Sequence, residues 1–81
     1  MRVTVRLFAR LRDITGAAEL PCEVGPEATI RTVWAQLVKE FPDLGRYERS
    51  ISSALNADYA RMDDRVRDGD EIAFLPPVSG G

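Results

Sequence analysis

The end of the sequence has the residue types best suited to chemistry, and it reads Pro76-Pro77-Val78-Ser79-Gly80-Gly81. Two consecutive prolines lack backbone N–H groups and restrict φ, so we expect the chain to leave the preceding element as a stiff, extended segment. The four residues after them span at most about 14 Å. Gly80 and Gly81 carry no side chain that would obstruct a narrow channel. The pattern predicts a C-terminal carboxylate presented to another protein, although a terminus without function would contain the same glycines.

A presented carboxylate needs activation before it can react with a nucleophile. Adenylation by ATP would convert one carboxylate oxygen of Gly81 into a leaving group, and the acyl adenylate could then accept sulfur or a partner's thiol. The rest of the chain offers little chemistry of its own, because it has no histidine and a single cysteine, Cys22. This inventory excludes a Cys/His zinc site, a Ser-His-Asp triad, a Cys-His pair and an intrachain disulfide.

Cys22 is one of the apolar positions of a predicted strand, so it is expected to be a small buried hydrophobic residue rather than a nucleophile. The carboxylates show no calcium-loop spacing, and no metal site is expected. Without a disulfide framework or an export signal, the expected compartment is the cytoplasm. The acidic residues between Asp63 and Glu71 are expected to form a solvated turn face, and docking to a basic partner is the alternative.

The composition is that of one small globular domain. The chain has 81 residues, of which 44% are hydrophobic and 30% are charged, so it can form one domain with one core. Thirteen acidic against eleven basic residues leave a net charge of −2, which gives no reason to expect nucleic acid or an anionic membrane as a partner. No apolar run approaches the ~20 residues of a membrane span.

Apolar periodicity predicts the order of the elements. A helix is expected from the N-cap Thr29 to Phe41, because its apolar residues recur every three or four positions. A strand containing Pro21 should lie at a sheet edge, since proline cannot donate to a ladder. Leu44 and Tyr47 are expected against the core from an otherwise polar segment. Strands are predicted at residues 2–7, 18–24, 51–56, 59–62 and 71–75, and a helical turn or loop at 9–15.

This order predicts an α+β fold in which an antiparallel or mixed sheet has one main helix packed on one face. One helix cannot cover both faces of the sheet. The other face must therefore be exposed to solvent or contact a partner.

Two stretches of the sequence resemble a known family. They are Val5-Arg6-Leu7-Phe8-Ala9-Arg10-Leu11-Arg12-Asp13 and Gly69-Asp70-Glu71-Ile72-Ala73-Phe74-Leu75-Pro76-Pro77-Val78-Ser79-Gly80-Gly81. Both are similar to the MoaD-like sulfur carriers, the small subunits of molybdopterin synthase, and the helix and the Leu55-Asn56 turn also match. The resemblance implies a ubiquitin-like β-grasp domain over residues 1–77 and a flexible Gly-Gly tail over residues 78–81.

The resemblance also implies a function for the tail. Gly81 would be adenylated by an ATP-dependent activating enzyme and converted to a thiocarboxylate, and Gly80 would let it pass the channel of the large subunit. The sulfur would go to a cyclic pyranopterin precursor to form the dithiolene of molybdopterin. The chain would bind no cofactor and would be a non-catalytic donor subunit, since the base and the substrate-binding groups would belong to the large subunit. Two small subunits flanking a large-subunit dimer are implied.

In a β-grasp sheet the first and last strands are parallel neighbours, which would place Phe8 and Leu75 at one end of the face away from the helix. Tyr59 matches a family position on the same surface, and Arg12 matches one near the tail. We predict an apolar patch that docks the large subunit and, alternately, the activating enzyme. Scattered surface residues are the alternative, also for Arg12. The predicted interface continues through Pro76, Pro77 and Val78.

Three other functions stay open. The chain could be a sulfur carrier of another pathway, such as that of thiamine. It could be a ubiquitin-like modifier that joins Gly81 to lysines of target proteins. It could also be a binding module whose tail has no function.

Overall fold

The computed structural model describes residues 1–77. They form one five-stranded sheet with the strand order β2-β1-β5-β3-β4. Strands β1 and β5 are parallel, and the other neighbouring strands are antiparallel. This is the mixed sheet predicted from the sequence. Its strands are β1 (Arg2–Leu7), β2 (Glu19–Glu23), β3 (Ser52–Leu55), β4 (Asp58–Ala60) and β5 (Glu71–Leu75).

Two α-helices and a 3-10 helix complete the described part of the chain. They are α1 (Ala9–Thr15), α2 (Ile30–Glu40) and the 3-10 helix Pro42–Tyr47. Neither α-helix has the length and apolar character needed to cross a membrane, and the same is true of every helix within residues 1–77.

Helix α2 begins where the sequence predicts. The Thr29 hydroxyl accepts the Thr32 backbone N–H at 3.3 Å, and the Thr32 hydroxyl accepts the Thr29 N–H at 3.1 Å. The two side chains thus satisfy donors that the first helical turn leaves free. The buried stripe of the helix packs on one face of the sheet and consists of Ile30, Val33, Trp34 and Leu37.

The core lies between α2 and the sheet. Alternate residues of β1 and β5 point into it, and Trp34 contacts Phe74 with ring centroids 4.9 Å apart and an interplanar angle of 58°. Such tilted aromatic pairs contribute beyond the apolar area that they bury. The strand residues of this layer are Val3, Val5, Leu7, Ile72 and Phe74.

Three segments differ most from the sequence-based expectations, and β2 and β3 are each one residue shorter at both ends than predicted. Residues 9–15 form a complete α-helix, which ends at Gly16 with a φ of 75°. The backbone N–H of Gly16 donates to the Arg12 carbonyl at 2.8 Å. The segment after α2 contains the 3-10 helix, which the fully buried Leu44 anchors to the core. The prediction of β4 at residues 59–62 was wrong at both ends. The strand stops at Ala60 because the Arg61 N–H donates to the Asp64 carboxylate at 2.9 Å and begins a turn.

Candidate partner-binding surface

The sheet face opposite α2 carries the candidate site. Leu7 and Phe74 are paired and buried in the core, whereas Arg6 and Ala73 are paired on the other face. Side chains alternate between the faces of a strand. Phe8 follows Leu7 and Leu75 follows Phe74. Phe8 and Leu75 therefore lie beside each other on the open face. The structure confirms the predicted placement of these two residues at one end of the sheet.

Tyr59 reaches the same face from the far edge. Ala54 of β3 is paired with both Ala73 and Tyr59, so these three side chains form a row across three strands. Tyr59 is 84% exposed, compared with 37% for Phe8 and 38% for Leu75. We call Phe8, Ala54, Tyr59, Ala73 and Leu75 the open-face patch. Large apolar side chains that are exposed together on one surface are typical of a protein interaction site.

Arg6 lies within the open face and contacts the patch. Its guanidinium carbon is 5.7 Å from the centroid of the Phe8 ring, within the range of a cation–π contact. It also lies 3.9 Å from a carboxylate oxygen of Glu71. The Arg6 guanidinium thus lies against the Phe8 ring on the open face. The sequence analysis did not single out Arg6, although residues i and i+2 of a strand share a face and this spacing could have identified it.

The remaining predicted interface residues are placed less uniformly. Pro76 and Pro77 directly follow β5 at the patch; Pro76 is half-buried and Pro77 is exposed. Arg12 is exposed in the last turn of α1, and its guanidinium makes no ion pair with any residue from 1 to 77. The predicted roles of Val78, Gly80 and Gly81 fall on residues 78–81, outside the described residues.

Cys22 lies on the helix side of β2, away from the open-face patch. It is half-buried, and its thiol donates to the Gln36 side-chain oxygen at 3.4 Å. Burial raises the pKa of the Cys22 thiol, and the negative charges of Glu40 and Glu23 raise it further. A raised pKa keeps the sulfur protonated and poorly nucleophilic. Cys22 is less buried than the sequence predicts, and the absence of a nucleophilic role for it stays a prediction.

The acidic loop between β4 and β5 has a structural role that the sequence analysis missed. The Asp68 carboxylate accepts the Arg2 backbone N–H at 2.8 Å. The Asp70 carboxylate accepts the Arg67 N–H at 2.7 Å and the Asn56 side-chain amide at 2.9 Å. These exposed side chains secure the turn that leads into β5. Within residues 1–77, no three Cys, Asp or Glu side chains are grouped so that they could hold a metal ion.

The chain is similar in sequence to known proteins. The ThiS family matches residues 5–81. The molybdopterin synthase sulfur carrier subunit of Chlamydomonas reinhardtii is 36% identical to this chain over 83 residues, and the alignment covers the whole of both proteins. The Arabidopsis thaliana protein of the same name is 35% identical and covers all of this chain and 84% of its own.

Solved structures confirm the ubiquitin-like β-grasp fold. The crystal structure of SAMP1 from Haloferax volcanii superposes with a TM-score of 0.86, at 28% identity and with full coverage of both chains. A chain from the protein–protein complex of subunits 1 and 2 of molybdopterin-converting factor from Helicobacter pylori gives a TM-score of 0.70, at 26% identity and full coverage of both chains. The fold therefore occurs both in a small modifier protein and in a two-subunit complex.

Proposed function

The chain belongs to the ThiS family, and we propose that it acts as the sulfur carrier subunit of a molybdopterin synthase. Relatives of that name match the whole chain. The observation that carries the proposal is the position of the open-face patch. Leu75 ends β5 within the patch and is followed at once by Pro76 and Pro77. A partner that docks on the patch therefore lies next to Pro76 and Pro77, after which residues 78–81 follow in the sequence.

The proposed reaction takes place at the carboxyl group of Gly81, with residues 1–77 as the docking body and 78–81 as the tail. A carboxylate oxygen attacks the α-phosphorus of ATP on an activating enzyme, and pyrophosphate leaves. A hydrosulfide ion then attacks the acyl carbon and AMP leaves, which produces the thiocarboxylate with no change in oxidation state. The sulfur is transferred within the large subunit to a cyclic pyranopterin precursor. Gly80, which has no side chain, allows the close approach that this requires.

The body of the chain contributes binding rather than catalysis. Its only thiol, Cys22, is on the other side of the sheet and has a raised pKa. The base and the pterin-binding groups are therefore assigned to the large subunit. One patch cannot be covered by two proteins at once, so the activating enzyme and the large subunit would bind alternately. We propose a cytoplasmic hetero-oligomer with two small subunits on a large-subunit dimer, and no nucleic acid or membrane partner.

The test is mass spectrometry of the C-terminal peptide of protein purified from its native cells. The expected product has sulfur in place of one oxygen on Gly81. Fragmentation must locate the change, because oxidation of Met62 would produce nearly the same intact mass. The matched control is a chain that lacks Gly80 and Gly81. If only free carboxylate were found, even after incubation with ATP and the activating enzyme, the sulfur-carrier proposal would be rejected.

A second candidate function is a protein modifier, which the similarity to SAMP1 favours. In that case an amine of a target protein, instead of sulfur, would displace AMP from Gly81, and an isopeptide bond would form. Peptides from native cells that are branched at a lysine by the C-terminal sequence of this chain would support it. Their absence, together with a thiocarboxylate on Gly81, would leave the carrier function alone.

A further inference from the structure

A second concave surface lies between β2 and α2, on the side of the sheet away from the open-face patch. It is a groove of about 480 Å³. Leu20, Cys22 and Leu37 supply apolar walls, and Gln36 and Glu40 lie on the helix side. The sulfur-carrier proposal makes no use of this groove.

The strand beside the groove has an unpaired outer edge. Strand β2 is the first strand of the order β2-β1-β5-β3-β4, so within residues 1–77 it pairs only with β1. Val24 donates to the Met1 carbonyl and Leu7 to the Ala18 carbonyl, both at 2.9 Å or less. Hydrogen-bonded and non-hydrogen-bonded pairs alternate in an antiparallel ladder. The residues whose backbone groups point away from β1 are therefore Glu19, Pro21 and Glu23.

Proline changes what this edge can bind. Pro21 has no N–H, so the edge offers the N–H groups of Glu19 and Glu23 and the carbonyls of all three residues. If two copies of β2 paired antiparallel with Pro21 opposite Pro21, neither proline could donate a backbone N–H at the centre of the ladder. The edge thus disfavours a second copy of this chain and still offers five of its six backbone groups to a different strand.

The charge around the edge and groove is negative on balance, because three carboxylates, Glu19, Glu23 and Glu40, face two guanidinium groups. These belong to Arg2 and Arg6 of β1, the register partners of Glu23 and Glu19. Neither Glu19 nor Glu40 forms an ion pair with a lysine or arginine side chain within residues 1–77. All lysines and arginines of the sequence lie in this range. Glu23 is held by Arg2 at 2.8 Å. Side chains alternate along β2. The open face carries Glu19, Pro21 and Glu23, whereas Leu20 and Cys22 point to the helix. A strand added here would meet the carboxylates of Glu19 and Glu23 on one face. On the other face it would meet a groove with apolar walls and with Gln36 and Glu40 on its helix side.

We propose that the β2 edge and this groove bind an extended segment of a partner protein in which aliphatic and basic residues alternate. Its backbone pairs with Glu19, Pro21 and Glu23, its aliphatic side chains enter the groove, and its Lys or Arg side chains lie beside Glu19 and Glu23. The segment occupies the edge of the sheet opposite β4. The inference is independent of the chemistry at Gly81.

The experiment titrates the isotope-labelled full chain with the synthetic peptide Lys-Val-Lys-Val-Lys-Val-Lys and follows its amide resonances by NMR. Saturable shifts are expected in β2 and in α2 near Gln36. The matched peptide with Glu in place of Lys should not bind. Glu19→Lys should weaken binding about fivefold, because one attraction becomes a repulsion. Asp58→Lys makes the same change in net charge on the opposite edge strand and should leave the affinity nearly unchanged.

Pro21→Val provides a test of strand addition itself. It supplies the missing outward N–H, so the affinity for the peptide should rise about fivefold, the value of one typical hydrogen bond. Unchanged affinity in this variant would overturn the strand-addition geometry. Equal binding of the acidic peptide, equal effects of Glu19→Lys and Asp58→Lys, or shifts confined to the open-face patch would overturn the proposal. Dimerisation of the chain alone through β2, seen by sedimentation, would assign the edge to a second copy and would also overturn it.

Discussion

The two faces of the sheet are built from the same strands and differ in burial. Ile72 and Phe74 of β5 are fully buried under α2, whereas Ala73 and Leu75, one residue away, lie in the open-face patch. The first set contributes to the free energy of folding. The second set adds little to it and remains available for a partner. Substitutions of neighbouring residues should therefore have separable effects on stability and on binding.

The largest effect is expected for Phe74→Ala. The Phe74 ring is fully buried against Trp34, and its removal leaves a cavity, so the free energy of unfolding should fall by about 3–5 kcal/mol. Leu75→Ala, its neighbour on the open face, should cost less than about 1 kcal/mol. Urea unfolding followed by the fluorescence of Trp34, the sole tryptophan, measures both. Similar losses in the two variants would contradict the separation of the faces.

Phe8→Asp should show the opposite pattern. Binding to the large subunit should weaken by about 2 kcal/mol or more, roughly 30-fold, because a charged group enters the centre of an apolar contact. The free energy of unfolding should change by less than about 1 kcal/mol, since Phe8 is exposed. Calorimetric titration with the large subunit gives the affinity. Ala35→Asp, on the exposed side of α2, is the control, and wild-type affinity of Phe8→Asp would disprove docking on the patch.

A smaller effect is expected at Cys22, on the helix side of β2. Replacing Glu40 by Gln removes a negative charge that raises the pKa of the thiol, so the pKa should fall and the thiolate fraction at a given pH below it should rise. Alkylation by iodoacetamide, which follows the thiolate, should become about twofold faster.

Glu48→Gln, at an exposed position that does not affect the pKa of Cys22, serves as the control and should alkylate at the wild-type rate. Slower alkylation of Glu40→Gln would contradict the proposed electrostatic cause. Cys22→Ala should leave sulfur transfer unchanged, because the thiol is not on the open face.

An effect of similarly small size is expected in the hairpin that carries Tyr59 to the open face. Asn56 and Ala57 form its two-residue turn with φ values of 50° and 74°. Ala57→Gly should raise the free energy of unfolding by about 0.5–1 kcal/mol, because glycine adopts this region without strain. Ala35→Gly in α2 should lower it by a similar amount. A loss of stability in Ala57→Gly, measured by urea unfolding, would show that the turn is not strained.

Much of this architecture could be predicted from the sequence, and the failures are informative. The alternation in β1 and the apolar spacing in α2 were sufficient because burial selects those patterns directly. The end of β4 at Ala60 was missed, since it depends on the Asp64 carboxylate accepting a backbone N–H. The role of Asp70 was missed for a similar reason, because its amide partner Asn56 is distant in sequence.

The sequence by itself determined the elements and the chemistry available. These are one main helix, a sheet with one face that this helix cannot cover, a single thiol and the two glycines at positions 80 and 81. Only the tertiary structure decided which residues act together. The parallel pairing of β1 with β5 joins Phe8 and Leu75, and the β3–β4 hairpin adds Tyr59. Local periodicity shows which side of a strand is buried, but it does not show which strands are neighbours, because pairing is set by contacts between distant segments.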